Sequence, residues 1–222
     1  MTVPNLTATQ VAIPQWQQAT WKDYLNERDA PATERVRLFF DGGYLLIDMG
    51  AEGINHASID NLFAMLFFIW FSRFPAQTAS ALGGCLIEKP NQRAASPDIV
   101  LYVGESVPQW QPGEPRRIDL NQWRVPDLVG EVSDTTLATD LDEKKQLYAS
   151  LEIPEYWVID VQSKRIIAFR LQLDGYQQRN YSTALNQLPI SLLEQTLERL
   201  SEGTNISAAN WFAEQIASLN QC

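Results

Sequence analysis

The chain has 222 residues, 45% of them hydrophobic and 20% charged, a composition that suits a folded domain and buries enough surface to need no disulfides. Its two cysteines, Cys85 and Cys222, form no C-x-x-C or Cys/His cluster, which excludes a zinc site of the usual spacing and suits a reducing, cytoplasmic compartment. A formal net charge of −10 argues against tight, sequence-independent binding to duplex nucleic acid, yet leaves room for a small cationic patch beside a metal.

In chain order, Met1 to Pro14 reads as a loose leader with no basic segment before an apolar core, so no signal peptide is expected. The spacing of Trp21, Tyr24 and Leu25 predicts a helix from Trp16 to Glu27. Val36 to Asp41 and Tyr44 to Asp48 read as two strands joined by the turn Asp41-Gly42-Gly43. From Asn55 to Phe74, apolar residues recur at three- and four-residue intervals, and Pro75 closes the helix. Its greasiest part, Leu62 to Phe71, is about half of the ~20 residues a membrane span requires, so a buried helix is expected.

Three apolar runs follow and predict strands at Ala81 to Glu88, Asp98 to Val103 and Asp127 to Val132. Proline enters the last two, where no ladder hydrogen bond is needed. The Pro- and Gln-rich stretch Gly104 to Val125 reads as a loop; its flanking Trp110 and Trp123 suit either packing or base stacking. Asp140 to Leu151 predicts a second helix, with Asp140 as its cap and Glu143 completing a capping box. Tyr156 to Val161 and Arg165 to Leu171 form a hairpin, a turn at Asp174-Gly175 leads to Tyr176 to Tyr181, and Leu188 to Leu200 and Ala208 to Leu219 read as helical. The order of elements gives a mixed α/β fold on one sheet. Residues 16–185 are expected as the main domain, with 1–15 as leader and 186–222 as a helical extension packed on it.

The chemistry-bearing residues concentrate in the second half. In the strand from Asp127, alternation puts Asp127, Val129, Glu131 and Ser133 on one face. A carboxylate in a sheet's core is costly unless a cation accompanies it. Glu131 therefore meets a metal or a basic side chain, or else the strand is an edge with a wet face. In the helix, Leu141, Lys144, Tyr148 and Leu151 share a stripe, with Lys145 beside it. Lys144 either extends its head to water or reaches a carboxylate such as Glu131. Asp98 opens an apolar strand, a weak signal alone that gains weight beside Glu131 and Lys144.

The run P-D-L-V-G-E-V-S-D-T-T-L-A-T-D-L-D-E-K-K-Q-L-Y-A-S-L-E-I-P-E-Y-W-V-I-D from Pro126 to Asp160 resembles the hallmark of the Uma-two-type restriction endonuclease family, part of the PD-(D/E)XK superfamily. Weaker matches are W-K-D-Y-L, F-F-D-G-G-Y-L-L-I-D-M, Asn55-His56 and S-P-D, so the similarity covers roughly residues 16–181. The resemblance implies a restriction endonuclease-like core and a Mg²⁺- or Mn²⁺-dependent hydrolase that cuts DNA. Asp98 then looks like the PD aspartate and Glu131 like the acid of the (D/E)XK strand. The usual lysine position holds Ser133 here, and Lys144 matches members whose lysine lies on the following helix, with Lys145 as the fallback.

On that reading Asp98, Glu131 and the Val132 carbonyl offer hard oxygen ligands. Lys144 orients the attacking water or neutralises the developing phosphorane charge. Asp127 is either a second carboxylate of the site or a strand-start residue held by a backbone amide. His56, which matches a family position, is either a cap or a rim contact to phosphate or Asp98. Edge strands and an apolar tail suit a homodimer. The alternative function is a catalytically inactive nuclease-fold protein serving as a binding or assembly module; a weaker third is an acid/base enzyme that uses Glu131 and Lys144 without metal.

Overall fold

Backbone chemistry sets the first elements of the computed structural model, which describes residues 15–31, 36–49 and 53–218. The leader to Pro14 and Cys222 lie outside those residues. A short strand β1 (Gln17–Gln18) precedes helix α1 (Trp21–Asp29). Thr20 caps α1 in a reciprocal box: its hydroxyl accepts from the Asp23 N–H, and Asp23 accepts from the Thr20 N–H at 2.8 Å. The helix expected from Trp16 therefore starts five residues later, because Gln17 and Gln18 pair with the hairpin strand that follows.

That hairpin is β2 (Val36–Asp41) and β3 (Tyr44–Met49), in a register that sets Arg37 opposite Asp48. Gly42 and Gly43 both take positive φ, at +56° and +85°. Tight two-residue hairpin turns require that conformation, and glycine adopts it without strain. Helix α2 (Ile54–Phe71) follows. By length and composition it could cross a membrane, but His56, Ile59, Leu62, Phe63, Leu66, Phe67 and Trp70 are buried against the rest of the fold.

The single strand expected over Ala81 to Glu88 is two strands in different sheets, β4 (Ala79–Gly83) and β5 (Ile87–Lys89). Gly84, at φ +58°, turns the chain between them. Next come β6 (Arg93–Ala95), β7 (Ile99–Val103), β8 (Ile118–Asp119) and β9 (Leu128–Ser133). The stretch read as a loop from Gly104 thus contains β8, which pairs in parallel with β5. Helices α3 (Leu137–Leu141) and α4 (Glu143–Ser150) lead to β10 (Glu155–Asp160), β11 (Arg165–Gln172) and β12 (Gly175–Arg179). The short pair β13 (Tyr181–Ser182) and β14 (Leu188–Pro189) precedes α5 (Ile190–Glu202) and α6 (Asn205–Ser218).

Among the described residues the strands form two six-stranded sheets, in the orders β1-β3-β2-β6-β5-β8 and β12-β11-β10-β9-β7-β4, beside the small β13–β14 pair, where the sequence predicts a single sheet. In the second sheet β9 lies between antiparallel β7 and parallel β10. The α3–α4 segment supplies the crossover that a parallel pair needs. All six residues of β9 are buried, so both sheet faces are covered. Leu128 and Val132 face a core made with α2, α5 and α6, including Leu62, Phe63, Leu197 and Phe212. Val129 faces the opposite core, with Phe39 of β2 and Leu147 and Tyr148 of α4. Alternation sends Glu131 to that second face, between the two sheets and under α4.

One expected helix is also two. Asp142, at φ −118° and ψ −87°, breaks the segment between α3 and α4. Asp140 is therefore not a cap; it sits in α3 and is fully buried.

Candidate active site

The β7–β9 ladder ends at the pair Ile99–Gly130. Asp98 and Glu131 stand just beyond it on neighbouring strands, so the topology brings two carboxylates to one sheet end. Both are almost fully buried, at 2% and 1% exposure. Burying a carboxylate demands hydrogen-bond donors or cations, and every oxygen of the pair has one. Asp98 Oδ2 accepts the Val132 N–H at 2.8 Å and lies 3.2 Å from His56 Nε2. Asp98 Oδ1 accepts from Arg37 Nη1. Glu131 Oε2 accepts from Lys144 Nζ at 2.9 Å, and Oε1 accepts from the Tyr148 hydroxyl.

A second layer holds these donors in place. Lys144 Nζ lies 2.8 Å from Asp140 Oδ1 and 4.3 Å from the centre of the Phe39 ring. The Thr136 hydroxyl donates to Asp140 Oδ2 at 2.6 Å. Arg37 Nη2 pairs with Asp48 Oδ2 at 2.6 Å, and its Nη1 is also 3.9 Å from Glu131 Oε2. Asp140 near the end of α3, with Lys144 and Tyr148 one turn apart on α4, brings an acid, an amine and a phenol to the same place.

The electrostatics separate the two acids. Burial alone would raise the Asp98 carboxyl, but the His56 contact and the Arg37 charge hold it down at about 2. Burial pushes Glu131 up to about 8; Lys144 opposes the rise, while Asp98 and Asp140 add to it. For Lys144, burial works against the ammonium, yet Glu131 and Asp140 outweigh it and raise its pKa. Lys144 therefore stays charged, and the surplus negative charge of the cluster is relieved at Glu131. Burial and the Glu131 charge raise the Tyr148 hydroxyl far above its ordinary value, so it remains a donor.

The sequence-derived residues fall into two groups. Asp98, Glu131, Lys144 and His56 converge, and Val132 joins them through its amide. Ser133 is buried on the Glu131 face, two residues further along. Asp127 lies at the other end of β9, about 13 Å along the strand from Glu131. There it accepts the Val103 N–H at 2.7 Å and pairs with Arg124. Lys145 points away, its Nζ 5.0 Å from the Phe169 ring centre. Of the tryptophans, Trp110 is half exposed under Arg116, and Trp123 packs on the inter-sheet core.

Sequence reasoning missed Arg37, Asp140 and Tyr148. The hairpin register was the available signal for Arg37, because the turn at Gly42-Gly43 fixes Arg37 opposite Asp48. The i+4 spacing around Lys144 was the signal for the other two.

In donor chemistry the site fits a small hard cation. Two carboxylates with one strand carbonyl, that of Val132, are a protein contribution typical for Mg²⁺ or Mn²⁺, which keep several waters. Among the described residues, no group of three or more His, Cys, Asp or Glu side chains is placed to hold a metal, so an all-protein cage is not what these residues offer. A cavity of about 220 Å³ reaches Asp98 and is also lined by Asp60, Asn61, Phe63 and Gly83. It has room for several waters.

A family model described as Uma2, "Putative restriction endonuclease", matches residues 21–205. The crystal structure of a "putative nuclease belonging to DUF820" from Anabaena variabilis aligns with a TM-score of 0.53 at 15% identity, covering 87% of this chain and 98% of that one. At that identity the likeness is one of fold. No curated protein matches the chain. The match over most of the sequence places this chain in the Uma2 family, described as "Putative restriction endonuclease".

Proposed function

We propose that the chain is a divalent-metal-dependent endonuclease that hydrolyses phosphodiester bonds in DNA. The observation that carries this reading is the meeting of Asp98, Glu131 and Lys144 between β7, β9 and α4. Asp98, Glu131 and the Val132 carbonyl would hold Mg²⁺ or Mn²⁺. When bound, such an ion lowers the pKa of a coordinated water and stabilises negative charge on a phosphate.

The protein's own groups do the positioning. His56 and the Val132 N–H fix the Asp98 carboxylate, and Tyr148 fixes Glu131. Asp140, itself held by Thr136, keeps Lys144 charged and aimed. An ammonium has three N–H groups. Two point at Glu131 and Asp140, which leaves the third for the attacking water or the phosphate oxygen that gains charge. The net charge of −10 suits weak, salt-sensitive engagement of DNA over a small patch.

A second reading is an inert descendant that uses the fold for binding. It is favoured by the depth of the site, where protein donors already satisfy all four carboxylate oxygens. Cleavage of supercoiled plasmid in Mg²⁺ or Mn²⁺ separates the two. The wild type nicks or linearises DNA, whereas Asp98→Ala, Glu131→Ala and Lys144→Met do not. Equal cleavage by wild type and Glu131→Ala, or cleavage that survives chelation, ends the metal-dependent reading.

A further inference from the structure

Arg37 has no part in the usual acid, acid, lysine set, yet its guanidinium stands in the middle of it. Nη1 donates to Asp98 Oδ1 and is 3.9 Å from Glu131 Oε2. A positive charge is thus held between the two carboxylates that would share a divalent ion. The arginine comes from β2, in the other sheet from β7 and β9. Its backbone is pinned there, since Ser96 Oγ donates to the Leu38 carbonyl at 3.2 Å and accepts the Leu38 N–H at 3.3 Å. The side chain has a second anchor: Nη2 pairs with Asp48, its cross-strand neighbour, at 2.6 Å. Asp48 and Arg37 are the more exposed members of the cluster, at 17% and 16% side-chain exposure.

We infer that Arg37 is the built-in competitor of the divalent ion: its guanidinium neutralises the Asp98–Glu131 pair and swings onto Asp48 when an ion enters. The inference rests on the metal-dependent reading above and adds the residue that sets how tightly the ion binds. The charge balance supports it. With Glu131 ionised, as an ion in the site would require, Asp98, Glu131 and Asp140 are three buried acids, and Lys144 compensates one of them. Arg37 supplies the next positive charge. A divalent ion in the same space would do so more fully, and the two cations repel at such short range. Arg37 stays charged throughout, because Asp98, Glu131 and Asp48 outweigh the effect of burial and raise its pKa. Its exchange with an ion therefore turns on rotation of a side chain, not on loss of a proton. Once displaced onto Asp48, the guanidinium faces the water side of the site, where its free N–H groups can meet a phosphate.

The test is Mn²⁺ affinity at pH 8, read from the free-ion EPR signal and repeated by calorimetry. The proteins are wild type, Arg37→Ala, Arg37→Gln, Asp98→Ala and Glu131→Ala. Both Arg37 variants are expected to bind Mn²⁺ more tightly than wild type by on the order of tenfold. Their thermal midpoints should also gain more from Mn²⁺ than that of wild type. Arg37→Gln keeps a polar partner for Asp98 and guards against misfolding of the alanine variant. If Arg37→Ala folds only when Mn²⁺ is present, that outcome supports the inference. Equal or weaker binding by both Arg37 variants, beside loss of binding in Asp98→Ala, overturns this inference and leaves the metal-dependent reading standing. Absence of Mn²⁺ binding by every protein, the Arg37 variants included, overturns both.

Discussion

Replacing Lys144 by methionine keeps most of the side-chain volume and removes one buried charge. Lys144 is 1% exposed and its Nζ bridges Glu131 at 2.9 Å and Asp140 at 2.8 Å. Breaking a buried pair by removing one partner costs about 3–5 kcal/mol. The lower end applies at pH 7, because burial has already pushed Glu131 up to about 8. A protonated Glu131 needs no counter-charge, so Asp140 bears most of the loss. Without Lys144 the folded-state pKa of Glu131 rises further. Above pH 8 the wild-type carboxyl ionises beside its ammonium, while that of the variant keeps its proton. The variant's deficit therefore widens with rising pH, by up to about 1.4 kcal/mol per unit. Urea unfolding followed by tryptophan fluorescence at pH 7 and pH 9 measures both effects. A deficit of ~3 kcal/mol that grows at pH 9 is expected. A deficit below ~1 kcal/mol at both pH values would refute the view that the Lys144 ammonium is the counter-charge of its buried acid partners.

Glu131→Gln tests the same acid from the other side. The contribution of the raised Glu131 carboxyl is fully present below pH 4.5 and is lost as pH climbs towards 8, so the glutamine variant should show a flatter stability profile between pH 5 and 8 in thermal melts. Lys145→Ala removes only a cation stacked on Phe169, so it should cost about 0.5–1 kcal/mol and leave plasmid cleavage intact. If it abolishes cleavage with the fold preserved, Lys144 is the wrong amine. Asp127→Asn keeps an oxygen for the Val103 N–H and loses a part-exposed pair with Arg124. The expected change is about 1 kcal/mol or less in denaturant melts, with metal binding unchanged.

The acid and amine were readable in sequence because each broke a pattern. Glu131 interrupts a strand of apolar residues, and Lys144 interrupts an apolar helical stripe. Each anomaly needs a partner, and the short Asp134 to Thr139 connection leaves the other as the nearest candidate. Arg37 broke no pattern. In Val36-Arg37-Leu38-Phe39-Phe40 it reads as the wet residue of an alternating strand, and Asp98 is 61 positions away. Asp140 was misread because an acid ahead of a helix so often caps it; here the backbone breaks two residues later at Asp142. The division into two sheets was hidden for a similar reason. Ala81 to Ile87 is a continuous apolar run apart from Gly83 and Gly84, and local pattern cannot tell which of two sheets each half will join.

On the proposed reading, an amine on α4 instead of at Ser133 has different surroundings. At Ser133 an amine would have only sheet neighbours at alternate positions. From Lys144 it meets Asp140 of α3 and stands one turn before Tyr148 of α4, and together with Glu131 they form a polar cluster on a buried face. Such a cluster is a poor way to gain stability. Apolar side chains of similar volume are often as good or better, because no desolvation has to be offset. The combined variant Glu131→Leu, Asp140→Leu, Lys144→Met should therefore recover most of the stability that Lys144→Met loses alone, while binding no Mn²⁺ at the site. That result would mean the polar cluster exists for chemistry and the fold tolerates it. If the triple variant is instead less stable than the single one, the cluster is a structural brace, and the argument for an active site loses its physical basis.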